Sequence, residues 1–520
     1  MARIKAATAP IATPTSARQK ELAIRVAIGA GRRRLIRQIL TESMALSGCG
    51  ALLGFLVAFA AVRVLGGLSA VKVPLLPTVR MDVPALAFCV LVALISGFVF
   101  GLAPALQIPL ASVHERLKDT TRAATANKRH AWLSNTLVVS EIVFACVLLA
   151  GAGLLVRSFI NVLTLNLGFQ PESAAALRVD RAANYSNVAE RNAFYNRVLE
   201  RVRTMPAVTA AALTNMLPLV GDRSWEITAQ GKLFKPGHFP EGFIRVVSDG
   251  YLRAMGIPLI AGREFTQRDT LTSEPVALVN ETTARTLWPG QNAIGQIIMA
   301  EGSKHHQGRR VIGVVADVRH RSLEQDSGCE VYMPLFQKDE DGQLYLVVRT
   351  SLPPAALAAS LRTTLRPIAP ELATDEFRAL QAVVDGAASP RRFIVLLLSC
   401  FSLFAVVLAA LGIYAVISYS VNQRRTELGI RMALGATTHE LQAGVLLQAL
   451  RLAGVGMLMG SVAAWVFSRG LGSLLFGVTS TDPLTFSATV LILMVVATVA
   501  AYLPALWISR IEPQSALRTS

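Results

Sequence analysis

The stretch "RRTELGIRMALGA" at residues 424–436 repeats an earlier one, "RQKELAIRVAIGA" at residues 18–30, at a constant offset of 406 positions. Arg18, Glu21, Leu22, Ile24, Arg25, Ala27, Gly29 and Ala30 are identical to Arg424, Glu427, Leu428, Ile430, Arg431, Ala433, Gly435 and Ala436. Without a gap, Leu35, Leu40, Leu46, Gly48, Gly50, Leu52 and Gly54 then match Leu441, Leu446, Leu452, Gly454, Gly456, Leu458 and Gly460. A further pair, "LAPAL" at 102–106 and "YLPAL" at 502–506, stands at offset 400. Register kept over this length indicates an internal duplication, each copy joining a charged segment to an apolar run.

The apolar runs set the fold class. Hydrophobic residues make up 52% of the 520-residue chain and charged residues only 16%, with a mean hydropathy of +0.47. That balance is unusual for a water-soluble chain and points to a membrane protein. Runs long enough to cross a bilayer, about 20 residues each, lie near 41–67, 84–108, 132–157, 392–420, 441–469 and 484–508. Residues 1–20 contain no apolar core of signal-peptide length, so the first helix is expected to direct insertion.

Basic residues orient these spans, because Lys and Arg in short loops are retained on the cytoplasmic side. Arg18, Lys20, Arg25, Arg32, Arg33, Arg34 and Arg37 precede or open the first run, and Arg116, Lys118, Arg122, Lys128 and Arg129 follow the second. Arg424, Arg425 and Arg431 lie in the loop with the repeated stretch, whereas "LLFGVTSTDP" carries no positive residue. The expected fold is an integral membrane α-helical protein of about six transmembrane helices with both termini cytoplasmic. A large α+β domain then faces outward between the third and fourth helices, which in a bacterial inner membrane is the periplasm. The formal charge of +17 follows largely from this cytoplasmic bias and suits anionic membrane lipid, so nucleic acid is not an expected partner.

The outward segment has mixed polarity and period-two runs. "PVALVN", "RRVIGVVADV" and "LYLVVRT" are strand candidates, and "NVAERNAFYNRVLERVRTM" and "PAALAASLRTTL" are helix candidates. Asp249, Gly250 and Tyr251 mark a turn. Cys329 is the one cysteine in this segment and cannot form a disulfide within it. No cysteine pair has metal-ligand spacing, His305 and His306 sit in a polar loop, and no arrangement of acid, base and nucleophile points to catalysis. The chain carries no GxxxxGK[ST] loop, since "GAGRRR" at 29–34 lacks the Lys and the hydroxyl residue, so no nucleotide cofactor is expected to bind directly.

In the repeated stretch Glu427 and Arg431 are four apart and Arg424 and Glu427 three apart. A short amphipathic helix would carry these charges on one face, with Leu428 and Ile430 on others. Gly435, like Gly29 in the first copy, is placed to terminate it as a left-handed cap. The residues alone leave open whether this helix docks in a groove of a partner protein or meets lipid headgroups. In the spans, Gly48, Gly50 and Gly54, repeated as Gly454, Gly456 and Gly460, are expected to let neighbouring helices approach closely. Glu141 falls about 12 to 14 Å into the third span by helix rise, where a carboxylate needs a neighbour to satisfy it.

The repeated loop, the glycine-bearing helix after it and the closing "LPALWISRIEPQSALR" resemble the permease domain of MacB-class and FtsX-type ABC transporters. "LLAGAGLLVRSFINVLTLNLGF" at 148–169 is similar to the end of that family's first helix, and "GREFTQRD", "VALVNETTARTLWPGQNAIGQ" and "RRVIGVVADVRH" are similar to pieces of its periplasmic core domain. The resemblance covers 132–520 as one full unit and 18 to about 120 as the latter part of another. The chain therefore resembles a duplicated orphan permease shortened at its N-terminus. The implied domains are a partial permease domain at 1–120, a cytoplasmic linker and third helix at 121–160, a periplasmic core domain at 161–390 and a three-helix permease domain at 391–520.

What this resemblance implies is mechanical. The cytoplasmic loop would be a coupling helix gripping a separate ABC ATPase subunit, whose use of ATP moves the helices and reshapes the periplasmic domain to drive export or efflux. Arg424, Arg425, Glu427 and Arg431, with Arg18, Glu21 and Arg25, are the implied contacts. A periplasmic adaptor or envelope protein and a second copy of the chain are further implied partners, and drugs, peptides or lipoproteins are implied cargo classes. The alternative is an FtsX-like signalling scaffold that regulates an envelope partner without transporting a substrate. An enzyme with a periplasmic active site has the least support.

Overall fold

The structure, a computed structural model, describes residues 32–67, 82–106, 120–179, 187–221, 223–232, 234, 239–300, 308–337, 344–368 and 377–507. Contacts divide the chain into two units, Met1–Ser158 with Phe393–Ser520, and Phe159–Arg392.

The first unit is helical. It holds α1 (Arg32–Gly67), α2 (Val83–Leu106) and the membrane part of α3 (Thr120–Leu163), and it continues with α8 (Leu380–Gln423), α9 (Arg425–Ala433), α10 (Thr438–Gly470) and α11 (Pro483–Leu506). Its core is written at four-residue spacing: Val138, Ile142 and Cys146 on α3, Ala409, Ile413, Ile417 and Val421 on α8, Ala449, Ala453 and Met457 on α10, and Leu493, Ala497 and Ala501 on α11. Four-residue spacing keeps one stripe per helix turned inward. The opposite faces are no less apolar, with Leu403, Leu458 and Leu491 each about two-thirds or more exposed. Helices apolar on every side are of the kind that cross a membrane.

Among the described residues, five helices are long and apolar enough to span a membrane: Ile36–Ala60, Ser134–Leu163, Leu380–Gln423, Thr438–Gly470 and Pro483–Leu506. The expected second span contributes a shorter apolar stretch, Val83–Phe98, in place of a sixth full span. Helix α8 also begins well before the expected boundary at 392 and runs through Pro390 without breaking.

Capping residues set the starts of the last two helices. Thr437 and Glu440 form a reciprocal capping box at α10. Asp482 caps α11 by accepting hydrogen bonds from the Thr485 amide (3.0 Å) and hydroxyl (2.6 Å), with Pro483 at the first helical position. Arg157 of α3 forms an ion pair with the same Asp482 carboxylate.

The second unit is an α+β domain. In order it contains β1 (Ala174–Arg178), α4 (Val188–Arg203), β2 (Val208–Thr214), β3 (Ser224–Ala229), β4 (Glu241–Val247), α5 (Tyr251–Met255), β5 (Leu259–Gly262), β6 (Val276–Asn280), α6 (Glu281–Leu287), β7 (Ile297–Ala300), β8 (Arg309–Val315), β9 (Cys329–Pro334), β10 (Tyr345–Thr350), α7 (Pro354–Leu365) and β11 (Arg378–Ala379). The strands run β11-β1-β10-β2-β4-β3-β7-β8-β6-β9, with β5 on β8. A parallel pairing of β4 with β9 closes β4, β3, β7, β8, β6 and β9 into a ring of six strands.

Two cores fill the domain. Helices α4 and α7 cover the β1, β2 and β10 segment through Phe194, Tyr195, Val198, Leu357, Leu361 and Leu365. Ile227, Ile244, Val279, Leu287, Trp288, Val311 and Val331 form the second core, on strands of the ring and on and beside α6. Alternation along β4 and β9 leaves the opposite face to Phe243, Arg245, Glu330 and Tyr332, which pair across the strands as Phe243 with Glu330 and Arg245 with Tyr332.

Candidate coupling site

The repeated stretch folds as the short helix α9 set between two long ones. Helix α8 ends at Gln423, and Arg424 stands in the turn with its amide donating to the Ser420 carbonyl at 3.1 Å. Arg424 has no side-chain cap, so its own carbonyl, accepting from the Leu428 amide at 2.8 Å, begins the new helix. At the other end Gly435 adopts φ +99°. Its amide donates to Met432 and the Ala436 amide to Arg431, closing the helix in the way a glycine beyond the last turn permits. Any Cβ at Gly435 would have open space around it, so the demand for glycine there is conformational rather than steric.

One side of α9 belongs to the bundle. Leu428 is buried in the helical core with Val421 and Leu441, and Met432 packs against it. On the other side Glu427, Ile430, Arg431 and Leu434 fall at i, i+3, i+4 and i+7, which is a single helix face. Glu427 and Arg431 form an ion pair at 2.6 Å with both side chains half exposed. Ile430 is 45% exposed and Leu434 83% exposed. Ile430 thus sits beside the ion pair on the outer face, whereas the sequence reading separates it from those charges. An exposed pair of this kind contributes little to stability, about 0.3–0.5 kcal/mol in a helix, so two apolar side chains next to it have no evident folding role.

The first-copy counterparts Arg18, Glu21, Arg25 and Gly29 lie outside the described residues, as do His305 and His306. Arg425 opens α9 as its first residue.

The six glycines expected at helix contacts separate into two groups. A Cβ built at Gly456 would lie 2.9 Å from Ile142, and one at Gly460 would lie 2.6 Å from Cys146, so these two admit α3 to the surface of α10. At Gly48, Gly50, Gly54 and Gly454 nothing among the described residues lies within 4 Å of a Cβ so built. The α1–α2 contact uses a different face, where Gly97 takes Ser47 at 2.9 Å and the Ser47 hydroxyl donates to the Ala93 carbonyl. Glycine composition marks a candidate stripe, but the neighbour chooses the face.

Glu141 is likewise reassigned. Its carboxylate packs directly on the α-carbon of Gly412 in α8, leaving no room for a Cβ, and its Oε2 has no hydrogen-bond partner among the described residues. The neighbour expected to satisfy it is not found there. Two further features escaped the sequence reading. One is the Arg157–Asp482 pair, for which "TDP" before an apolar run was an available capping signal. The other is a polar cluster of Arg245, His320, Glu330 and Tyr332 inside the α+β domain, all essentially without solvent contact. Arg245 is on β4, His320 in the loop after β8, and Glu330 and Tyr332 on β9, so no local pattern announces the cluster.

Comparison with known proteins divides the chain along the same lines. The model of the "FtsX-like permease C-terminal" family matches residues 12–109 and again residues 399–513, one match for each copy of the repeat. The model of the "MacB-like periplasmic core domain" matches residues 137–364. The macrolide export ATP-binding/permease protein MacB of Azoarcus sp. (strain BH72) is 25% identical over 331 residues, which is 62% of this chain and 48% of that protein. The pyoverdine export ATP-binding/permease protein PvdT of Pseudomonas putida is 25% identical over 268 residues, covering 50% of this chain and 40% of that protein. This chain spans about half or less of the length of these curated relatives. The crystal structure of the periplasmic region of MacB from Actinobacillus actinomycetemcomitans aligns over 43% of this chain and 95% of that one, at 15% identity and a TM-score of 0.29.

Proposed function

Because this chain belongs to the MacB/FtsX-type ABC transporter permease family, we propose that it is a permease subunit driven by an ATPase carried on a separate polypeptide. Helix α9 is the coupling element in this reading. Its inner face, through Leu428 and Met432, ties it to the membrane bundle, while Glu427, Ile430, Arg431 and Leu434 meet the partner. Movement of the partner on using ATP would then reach α8 and α10 directly, since α9 is joined to both through single turns. The reading draws most support from one observation, the exposure of Leu434 and Ile430 beside an ion pair on a helix whose opposite face is fixed in the core. Apolar anchors flanked by charge are what a protein groove selects.

The duplication gives the reading its stoichiometry. Two stretches identical at eight of thirteen positions fit two ATPase subunits, one gripped through 18–30 and one through 424–436. The relatives are named for macrolide and pyoverdine export, and export from the outer face of an inner membrane is the activity assigned here, with the cargo left as a small or peptide-like molecule handled by the α+β domain. The test is affinity purification of the tagged chain from native membranes, comparing wild type with the double change Glu21→Arg and Glu427→Arg. An ATPase subunit recovered with the wild type and lost from the double variant is the expected result. A folded, inserted chain that brings down no ATPase in either form overturns the reading and leaves the signalling scaffold in its place.

A further inference from the structure

The polar cluster on the β4–β9 face poses an electrostatic problem in a dry place. Arg245, Glu330 and the His320 side chain are essentially without exposure. The Nε2 of His320 lies 3.0 Å from Glu330 Oε1 and 3.4 Å from Arg245 Nε. The other Glu330 oxygen accepts a hydrogen bond from the Tyr332 hydroxyl at 2.6 Å. Tyr251, the first residue of α5, stacks obliquely on Tyr332 with ring centres 6.2 Å apart. Both Nη atoms of Arg245 and Nδ1 of His320 are buried without a hydrogen-bond partner among the described residues.

Only one ionic form of this cluster balances. In a neutral imidazole protonated at Nε2, the proton faces Glu330 Oε1 across the 3.0 Å contact, and a single guanidinium faces a single carboxylate. An imidazolium would set a second cation beside Arg245 against that same carboxylate. It would also turn Nδ1 into a buried donor with no acceptor, and a buried unpaired charge is strongly destabilising. Among the described residues no other anion faces it: burial pushes the Tyr251 hydroxyl up to about 12, and burial with the Glu330 charge pushes Tyr332 well above its ordinary value, so both stay neutral. The loop's own charges are committed at its rim, Arg319 to Asp326 (3.0 Å) and Arg321 to Glu241 (3.5 Å).

The loop that carries His320, residues 316–328, holds much of the domain together. The Leu219 amide donates to the His320 carbonyl at 2.9 Å, and the Ser327 hydroxyl to the Val318 carbonyl at 2.7 Å. The Arg319 amide donates to the Leu167 carbonyl at 3.1 Å, and the Asp317 carbonyl lies so close over Gly168 (φ +77°) that no Cβ fits. Glu324 forms an ion pair with Arg391. Leu167 and Gly168 are where the chain enters the α+β domain, and Arg391 is where it leaves.

We propose that His320 is an acid-responsive latch: protonation of its imidazole frees loop 316–328 from Arg245, Glu330 and Tyr332, and with it the hold on Leu167, Gly168 and Arg391. Burial, partly offset by the Glu330 charge and reinforced by Arg245, keeps the His320 imidazole below its ordinary range. A group neutral in the closed state and titrating near 6.5 in the open state favours closure above about 6.5. That preference is lost as pH falls below this value, until the closed-state value is reached. Each pH unit in the window changes the opening constant by up to about tenfold.

The test is hydrogen–deuterium exchange of the full chain in lipid nanodiscs at pH 7.5, 6.5 and 5.5, with each peptide corrected by its own unfolded intrinsic rate. From pH 7.5 to 5.5, peptides covering 316–328 and 329–334 should lose protection on the order of tenfold, while α4 peptides hold theirs. In His320→Gln, whose amide can still donate to Glu330, that pH dependence should vanish. Unchanged protection in the wild type, or an equal loss in His320→Gln, overturns the latch. Should His320→Gln fail to fold, histidine C2–H exchange on the wild type decides alone. A midpoint for His320 below about 6.5 supports the proposal, and one at or above that value refutes it.

Discussion

Removing the Asp482 carboxylate should loosen the end of the helical unit where α11 begins by an amount that can be divided in advance. Asp482→Ala deletes the cap that accepts from the Thr485 amide and hydroxyl, and loss of an N-cap costs about 1 kcal/mol, within a range of about 0.5–2 kcal/mol. It also releases Arg157, whose side chain is 43% exposed, so solvent screening limits that ion pair to about 0–1 kcal/mol. The total is about 0.5–3 kcal/mol. Asp482→Asn keeps a capping acceptor and gives up only the charge, so it should cost no more than about 1 kcal/mol. Arg157→Met should cost a similar amount and add almost nothing in the Asp482→Ala background, because its partner is already gone. Reversible unfolding of the wild type and these four variants in matched bilayer mimics, with Asp482→Ala and Arg157→Met read as a double-mutant cycle, measures each part. If Asp482→Asn is as damaging as Asp482→Ala, the cap is not the source of the loss. If Arg157→Met costs the same with and without Asp482, the pair makes no contribution.

The two copies of the glycine stripe should respond differently to the same substitution. Gly460→Val meets Cys146 from 2.6 Å and should destabilise the bundle by about 1–3 kcal/mol, whereas Gly54→Val at the equivalent repeat position enters open space and should leave unfolding unchanged. In the α+β domain Asp269 resists the upward pull of burial. Hydrogen bonds from Arg263 and the Thr266 amide and hydroxyl, with the Arg263 charge, hold its carboxyl below the usual range. A depressed carboxyl contributes stability that is present above about 3.9 and lost as pH falls through the folded value. Exchange protection around 263–270 should therefore fall on acidification below that point in the wild type and change less in Asp269→Asn.

Much of the helical unit was legible because its determinants are local and periodic. Apolar runs located the long helices, "TTHE" carried a capping box, and Gly435 marked the end of α9. In the α+β domain the candidate strands at 275–280, 309–318 and 344–350 became β6, β8 and β10, and both helix candidates became α4 and α7. What escaped depends on partners distant in sequence. Ring closure rests on β4 meeting β9 about 88 residues later in a parallel register that alternation alone does not choose. Gly50 and Gly456 hold equivalent repeat positions, yet among the described residues only the second meets a neighbouring helix. Arg245, His320 and Glu330 have no shared spacing, so no pattern in the sequence joins them into one buried polar cluster. At the proposed coupling loop the Glu427–Arg431 pairing was legible and the exposed Leu434 was not, because Leu434 lies one residue beyond the last helical turn.

The most direct measurement places a photo-crosslinking amino acid at Leu434, on the exposed face of α9, and for comparison at Leu458, on the outward face of α10. Both are strongly exposed, 83% and 72%, so reagent access does not separate them. Illumination in native membranes should yield an adduct with an ATPase subunit from position 434 and none from position 458. Adducts confined to lipid at both positions would contradict the coupling role of α9.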